Sequence, residues 1–366
     1  MAVPFLDSVA QYKKLQPKLE KAILDVARSG KYVLGERVAA LEKMLAQYID
    51  VPHAVGCASG TDALILALRA VEAGPGHEVI TTAYSFFATA SAIALVGATP
   101  VFVDIDPRTC TIDARTVEKK LSVRTRAIIP VHLYGQPAEM EPLLALSEEW
   151  GVKIIEDACQ SIGAEYKGRR VGGMGDVGCV SFYPTKNLSG MGDGGMLFTR
   201  DQRIAENLRI LREHGAKPRH FHKVVGYNSR LDELQAAVLL VKAKCLEEWI
   251  EKRRANARLY SELFMGSAVA ALYDLPYVRH VYNQYVVRVR ERGTLMEYLK
   301  SKGIGSAIYY PLPLHLQACF SELGYKKGDL PESEKAAEET LALPIYPELA
   351  REQIEEVARA VVDFYR

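Results

Sequence analysis

The sequence has little cysteine and never uses it in pairs. Its six cysteines, at positions 57, 110, 159, 179, 245 and 319, form no Cys-x-x-Cys motif and stand mostly among apolar neighbours. This excludes a disulfide-stapled scaffold and points to a reducing compartment. A surplus of charge is also missing. Lys and Arg number 46 against 45 Asp and Glu, a net charge of +1, so no global field draws nucleic acid or an acidic membrane, and neither is expected as a partner. Any anionic ligand has to be held locally. There is no internal repeat and no low-complexity tract. The stretch from Met1 to Lys14 carries Asp7 and Gln11 and no unbroken apolar run, unlike a secretory leader, and a cytoplasmic protein is expected. One segment lacks charge altogether, the 25 residues 79–103, long enough to span a bilayer. Thr81, Thr82, Ser85, Thr89, Ser91, Gly97, Thr99 and Pro100 interrupt it, and its β-forming ends with an Ala-rich middle predict strand, helix, strand instead.

What is present is an ordinary globular chain. With 366 residues, 49% of them hydrophobic and 25% charged, it is long enough for about two domains, each with a buried core. Runs rich in β-formers at Glu78 to Thr82, Pro100 to Asp104, Arg126 to Val131 and Lys153 to Asp157 alternate with helical segments. That is the βαβ pattern of a largely parallel sheet covered on both faces. Gly178 to Tyr183 and Gly195 to Thr199 follow each other with no helix between them, so the sheet is expected to be mixed. At Ser229, with Asp232 three residues on, a capping-box pattern predicts a long helix through Leu234, Val238, Leu246 and Ile250 toward Leu263. A strand at Tyr282 to Val289, a helix at Thr294 to Lys302 and a Pro-rich loop at Tyr309 to Leu316 then predict a smaller α+β unit. The expected division is a large domain over residues 1–245 and a small C-terminal domain over residues 246–366.

Two segments match Gly-x-Gly-x-x-Gly, at Gly173, Gly175 and Gly178 and at Gly190, Gly192 and Gly195. A dinucleotide fingerprint must follow a strand and open a helix, whereas each of these runs into a β-rich segment. Neither is read as a nicotinamide site, and no Walker motif is present. A small-residue turn, Ala58-Ser59-Gly60-Thr61-Asp62-Ala63-Leu64, runs straight into an Ala/Leu-rich helical pattern. Backbone N–H groups there, with the Thr61 hydroxyl, can cradle a phosphate; taken alone, Ser or Thr at a helix start is more often just a cap. At Ile154-Ile155-Glu156-Asp157-Ala158-Cys159-Gln160 an apolar strand ends in two acids that point to opposite faces. Asp157 either faces the ligand end of the sheet or caps a turn. In Ser181-Phe182-Tyr183-Pro184-Thr185-Lys186-Asn187 a lysine stands just past a β-run, where a lone lysine is ordinarily solvated. Taken together, a phosphate cradle, a strand-end carboxylate and a downstream lysine are what pyridoxal phosphate requires: an anchor, a partner for the pyridine nitrogen and an amine for the aldehyde. The carboxylate keeps the ring nitrogen protonated by charge pairing, and the lysine, released by an incoming amine, can shuttle a proton.

These segments, with Gly35 in Tyr32-Val33-Leu34-Gly35, Gly192-Asp193-Gly194-Gly195 and Gly226-Tyr227-Asn228-Ser229-Arg230-Leu231, resemble the DegT/StrS-type sugar-nucleotide aminotransferases over essentially the whole chain. Those are pyridoxal-phosphate enzymes of the aspartate aminotransferase fold, fold type I. The resemblance implies an α/β large domain with a mixed, mostly parallel sheet, followed by a smaller α+β domain. It implies Lys186 as the Schiff-base lysine and Asp157 as the partner of the pyridine nitrogen. Gly60, Thr61 and Ser181 are implied on the cofactor phosphate, Phe86 over the ring face and Gln160 on the ring hydroxyl. Read by itself, Phe86 beside Phe87 also fits core packing. Asn228 is implied to reach the phosphate from the neighbouring subunit, making a homodimer with shared active sites.

Family members load the cofactor with an amino group from L-glutamate, giving pyridoxamine phosphate and 2-oxoglutarate, and deliver it to a ketone of a nucleotide-linked sugar. Arg230, His220 and His222 are implied contacts of the sugar diphosphate, and Tyr309 and Tyr310 of the hexose. The His220 and His222 pair has no third ligand in view, so no metal is expected. Some relatives carry histidine in place of the Schiff-base lysine and deoxygenate the sugar; here Lys186 is retained. The wording around Lys186 is closer to members acting on 3-keto sugars than to those acting at C4. A C4 aminotransferase, a dehydratase or lyase of the same fold, and a non-catalytic sugar-nucleotide sensor remain the alternatives.

Overall fold

The computed structural model describes residues 2–366. Up to residue 199 its strands are β1 (His53–Cys57), β2 (Glu78–Thr82), β3 (Thr99–Val103), β4 (Thr125–Ile129), β5 (Lys153–Asp157), the short pair β6 (Glu165–Tyr166) and β7 (Arg169–Arg170), then β8 (Val177–Ser181) and β9 (Gly195–Thr199). Seven of these form one sheet in the order β1-β9-β8-β5-β4-β2-β3. From β3 through β8 the neighbours pair parallel, while β9 runs antiparallel to both β8 and β1. The sheet is therefore mixed and mostly parallel, and the reversed strand is the one that follows β8 with no helix between. The uncharged stretch 79–103 is β2, the helix Phe87–Leu95 and β3.

Side chains alternate along each strand, and both faces are apolar because both are covered. Ile80, Ile128, Ile154, Met196 and Phe198 pack on one side with Leu41, Leu45 and Ile250. Their strand neighbours Val79, Ala127, Ile129, Ile155 and Leu197 pack on the other side with Leu64, Ala67, Ile93 and Leu208. With the faces filled, polar chemistry is left to the strand ends and the loops that leave them.

The helix expected from Ser229 to Leu263 is two helices, Glu233–Ala243 and Leu246–Leu263. No glycine or proline marks the break at Lys244 and Cys245, so the apolar periodicity runs through it unseen. Ser229 does not cap the first helix: its hydroxyl accepts the Ala58 N–H at 3.3 Å. The carboxylate of Glu233 instead caps a different helix, accepting the N–H groups of Gly35 (2.8 Å), Arg37 (3.0 Å) and Val38 (2.8 Å) at the start of Glu36–Ile49. An added Cβ at Gly35 would lie 2.9 Å from that carboxylate, which accounts for the glycine.

Beyond residue 264 lie β10 (Ala270–Ala271), β11 (Val278–Arg279), β12 (Tyr285–Arg288) and β13 (Thr340–Leu343). A second sheet runs β10-β12-β13, while β11 crosses back to pair with β6. Its core gathers Tyr260, Val287, Leu299, Leu341 and Val361, and also takes Val3, which bridges to Ile304. We propose 1–245 and 246–366 as the two units, with the N-terminal strand-like residues packed across onto the second. Among the described residues no helix is long and apolar enough to cross a membrane.

Candidate active site

At the end of β1 the chain turns through Ala58 and Ser59 into the helix Gly60–Ala70. Ser59, in extended conformation, accepts the Asp62 N–H on its hydroxyl at 3.1 Å and the Ala63 N–H on its carbonyl at 3.0 Å. The N–H groups of Gly60 and Thr61 are left without an acceptor among the described residues, at the positive end of the helix. Glycine is required at 60, since an added Cβ would lie 2.7 Å from the Ser181 Cβ and 3.0 Å from the Cys159 sulfur. Ser181, the last residue of β8, thus stands directly against the helix start. The arrangement is an anion cradle of two free N–H groups and a hydroxyl.

The two acids closing β5 face opposite ways, as strand alternation demands. Glu156 is fully buried and accepts from the N–H groups of Gly172 (2.8 Å), Met174 (2.7 Å) and Gly175 (2.7 Å). It also meets His132 Nε2 at 3.0 Å, while His132 Nδ1 accepts the Ala138 N–H, so the imidazole is the neutral tautomer that donates from Nε2. Burial alone works to raise the Glu156 pKa, but the His132 and backbone hydrogen bonds outweigh it and hold the carboxyl below its ordinary range. This acid organises the loop into β8. Asp157 takes the other face: Oδ2 accepts from the Thr89 hydroxyl at 2.7 Å and Oδ1 from the Cys159 N–H at 3.2 Å.

Lys186 follows a turn in which its N–H donates to the Tyr183 carbonyl at 2.9 Å, with Pro184 in the second position that proline favours. Asn187 anchors the loop by donating to the Val281 carbonyl at 3.0 Å. Among the described residues the Lys186 amine has no hydrogen bond or ion pair. Burial holds its pKa below the usual lysine range, with nearby Cys159 and Asp157 working the other way. The result is an amine that is partly desolvated, uncommitted, and electrostatically coupled to Asp157.

Gln160 closes the site on one side, accepting the Tyr134 N–H on Oε1 (2.8 Å) and donating from Nε2 to the Tyr310 hydroxyl (3.0 Å). The Phe86 ring, 54% exposed rather than buried in the core, lies 5.8 Å from that of Tyr310. The structure therefore links Gln160, Tyr310 and Phe86 around one opening. Gly60 stands against both Ser181 and Cys159, and Cys159 lies within the field of Asp157 and Lys186. Asn228, His220 and His222 are exposed or half-buried on the excursion 214–228, and Arg230 is half-buried behind it. None of these four is hydrogen-bonded to Asp157, Lys186 or the Gly60 turn among the described residues. Phe221 and Val225 stand out from the same excursion, 69% and 86% exposed. No cluster of three or more His, Cys, Asp or Glu able to hold a metal occurs among the described residues.

Sequence reasoning missed Thr89, Tyr84 and Tyr134. The signal for Thr89 was present: with Ser91 it is one of two polar residues inside an Ala-rich helix. For the tyrosines there was none, since nothing in the local sequence sets either apart from other aromatic residues.

A buried carboxylate, a free amine and an anion cradle at one end of the sheet fit pyridoxal phosphate in charge and in donor type. A sequence model of the DegT/DnrJ/EryC1/StrS aminotransferase family matches residues 13–362. A pleiotropic regulatory protein of Geobacillus stearothermophilus is 49% identical over 369 residues, covering 100% of this chain and 99% of its own. The UDP-N-acetyl-3-dehydro-alpha-D-glucosamine 3-aminotransferase of Acidithiobacillus ferrooxidans is 43% identical over 360 residues, covering 98% and 97%. Among solved structures, DesV of S. venezuelae, crystallised with a ketimine intermediate, superposes with a TM-score of 0.97 at 41% identity, covering 99% of this chain and 98% of its own.

Proposed function

The chain belongs to the DegT/DnrJ/EryC1/StrS aminotransferase family, and from that premise we propose that it transfers an amino group from L-glutamate to the C3 ketone of a nucleotide-linked hexose. The cofactor is pyridoxal 5′-phosphate. When bound, it supplies an aldehyde that carries the amino group and a ring that accepts electrons from the substrate carbon. The observation that carries the reading is the placement of the Lys186 amine within the field of Cys159 and Asp157, the same Cys159 whose sulfur lies against Gly60. The choice of C3 is supported by the name of the Acidithiobacillus relative.

In this reading the Gly60 and Thr61 N–H groups and the Ser181 hydroxyl hold the phosphate. Asp157 holds a proton on the ring nitrogen through its carboxylate, whose Oδ2 is itself fixed by Thr89. Phe86 covers one ring face and excludes water from it, and Gln160 has one amide hydrogen left for the ring hydroxyl. Lys186 Nζ, whose charged form burial disfavours, would take the proton from the carbon bearing nitrogen and return it. Asn228 of the partner subunit reaches the phosphate, and Arg230, His220, His222, Tyr309 and Tyr310 contact the sugar nucleotide. The active unit is a cytoplasmic homodimer. The exposed Phe221 and Val225 on the Asn228 excursion support an interface there.

The test is direct. Holoprotein mixed with L-glutamate should lose its visible absorbance and release stoichiometric 2-oxoglutarate. In reverse, with 2-oxoglutarate as acceptor, a panel of nucleotide-linked 3-amino and 4-amino sugars should show turnover with the 3-amino set. Turnover confined to 4-amino sugars would replace C3 by C4. Sedimentation of the holoprotein tests the dimer.

A further inference from the structure

Two buried tyrosines hold one peptide beside the site. Tyr84 leaves the end of β2 and Tyr134 follows β4, the neighbouring strand, and both side chains are almost wholly buried. The Tyr84 hydroxyl accepts the Tyr310 N–H at 3.0 Å and lies 2.7 Å from the Tyr309 carbonyl. The Tyr134 hydroxyl donates to that same carbonyl. Behind them, Tyr84 meets Thr340 Oγ1 at 2.6 Å, and the Thr340 hydroxyl donates to the Ala336 carbonyl at 2.8 Å. The Tyr84 hydroxyl accepts the Tyr310 N–H and has a single proton to share between the Tyr309 carbonyl and Thr340, while the Tyr134 hydroxyl donates to the Tyr309 carbonyl. Burial pushes both phenols up from their ordinary pKa, so each keeps the hydrogen it donates.

The far end of Tyr310 is held as well. Gln160 donates to its hydroxyl and accepts the backbone N–H of Tyr134, so a single glutamine joins the two ends of the arrangement. Tyr134 itself sits at φ 61°, a left-handed conformation that a tyrosine seldom adopts. Both its N–H and its hydroxyl are committed to this one cluster, which is where such local strain is commonly retained.

We propose that Tyr84 and Tyr134 are positioning residues that act through Tyr310, fixing its phenol against Gln160 and its ring against Phe86 at the cofactor opening. Thr340 and Ala336 extend the same chain of hydrogen bonds into the C-terminal unit. The kinetic consequence rests on the aminotransferase reading; the placement of Tyr310 does not.

The experiment uses the full-length holoprotein and the variants Tyr84→Phe, Tyr134→Phe and Tyr310→Phe, alone and in pairs, with Thr340→Val as a variant outside the opening. Amide hydrogen exchange is followed on the peptide spanning Tyr309 and Tyr310, together with the visible circular dichroism of the bound cofactor and steady-state kinetics with L-glutamate. Exchange at Tyr310 should accelerate by about tenfold or more in Tyr84→Phe and in Tyr134→Phe, and the dichroic band should weaken. The kcat should fall by about tenfold, roughly 1.4 kcal/mol of barrier, with KM for L-glutamate changed less than about twofold. Adding Tyr84→Phe or Tyr134→Phe to Tyr310→Phe should cost almost nothing more in kcat, because neither has a phenol left to position. The proposal is overturned if folded Tyr134→Phe and Thr340→Val leave exchange and dichroism unchanged, or if Tyr134→Phe lowers kcat as much without the Tyr310 hydroxyl as with it. A holoprotein with no amino transfer would defeat the functional reading, while exchange and dichroism would still decide this one.

Discussion

The Thr89 hydroxyl donates to Asp157 Oδ2 across 2.7 Å, and the Ser85 hydroxyl lies 3.0 Å behind it. Thr89 sits on the helix Phe87–Leu95, which packs over the sheet, so this bond fixes the carboxylate from the helix layer as well as from its own strand. Asp157→Asn keeps the shape but removes the charge that holds a proton on a pyridine nitrogen. The glutamate half-reaction should slow by about 10²-fold or more, measured by stopped-flow absorbance. Thr89→Val removes only the orienting bond; a hydrogen bond to a charged group contributes about 1.5–3 kcal/mol, and since the Cys159 N–H still holds the carboxylate a loss at the low end of that range, about tenfold, is expected. Equal losses in the two variants would mean that Thr89 does more than orient the acid.

Lys186 is the residue whose chemistry cannot be shared. Among the described residues its amine has no hydrogen-bond or ion-pair partner, and burial disfavours its charged form. Borohydride reduction of holoprotein should fix the cofactor to the peptide containing Lys186, identified by mass spectrometry, and Lys186→Ala should carry no label and no turnover while still binding the cofactor. Label on another lysine would remove Lys186 from this role.

Much of this was legible in the sequence because strand ends announce themselves. β2, β5 and β9 have the bounds that runs rich in β-formers predict, and alternation alone told that Asp157 and Glu156 face opposite ways, the choice of Asp157 coming from the family resemblance. The Ser59 to Thr61 turn was visible as small residues ahead of an Ala/Leu pattern. What stayed hidden depends on distance in space. Glu233 caps a helix starting 197 residues earlier in the chain, at Glu36, and Ser229 mimics a capping box while its hydroxyl serves Ala58. Local patterns carry no information about either partner. The pairing of Val3 with Ile304 escapes notice for the same reason.

Gly60 offers a test of the anion cradle that does not touch a charge. A methyl group there would sit 2.7 Å from the Ser181 Cβ, closer than side-chain carbons approach, so Gly60→Ala must push the helix start away from β8. Cofactor affinity, measured by fluorescence titration of apoprotein, should weaken by about tenfold or more, whereas Ser181→Ala should weaken it less because the backbone N–H groups remain. Unchanged affinity in Gly60→Ala would place the phosphate elsewhere.

Lys242 carries an electrostatic cost that pH can expose. The residue is 5% exposed, and its amine has one neutral partner, the Ser189 hydroxyl at 3.1 Å, with no carboxylate in ion-pair range among the described residues. Burial therefore lowers its pKa to about 8 from an ordinary 10.5. A folded-state pKa below the unfolded one means that the unfolded chain holds more protons between those values, so stability rises with pH across that window. Below pH 8 the penalty is constant and on the order of 3 kcal/mol, since each tenfold change in a protonation equilibrium is worth about 1.4 kcal/mol. Lys242→Met keeps the length and discards the charge. It should raise the urea midpoint at pH 7, and its advantage over the parent should shrink steadily as both are compared toward pH 10. An equal gain at every pH would trace the effect to packing instead, and a loss at pH 7 would mean that the buried ammonium has an anionic partner in solution.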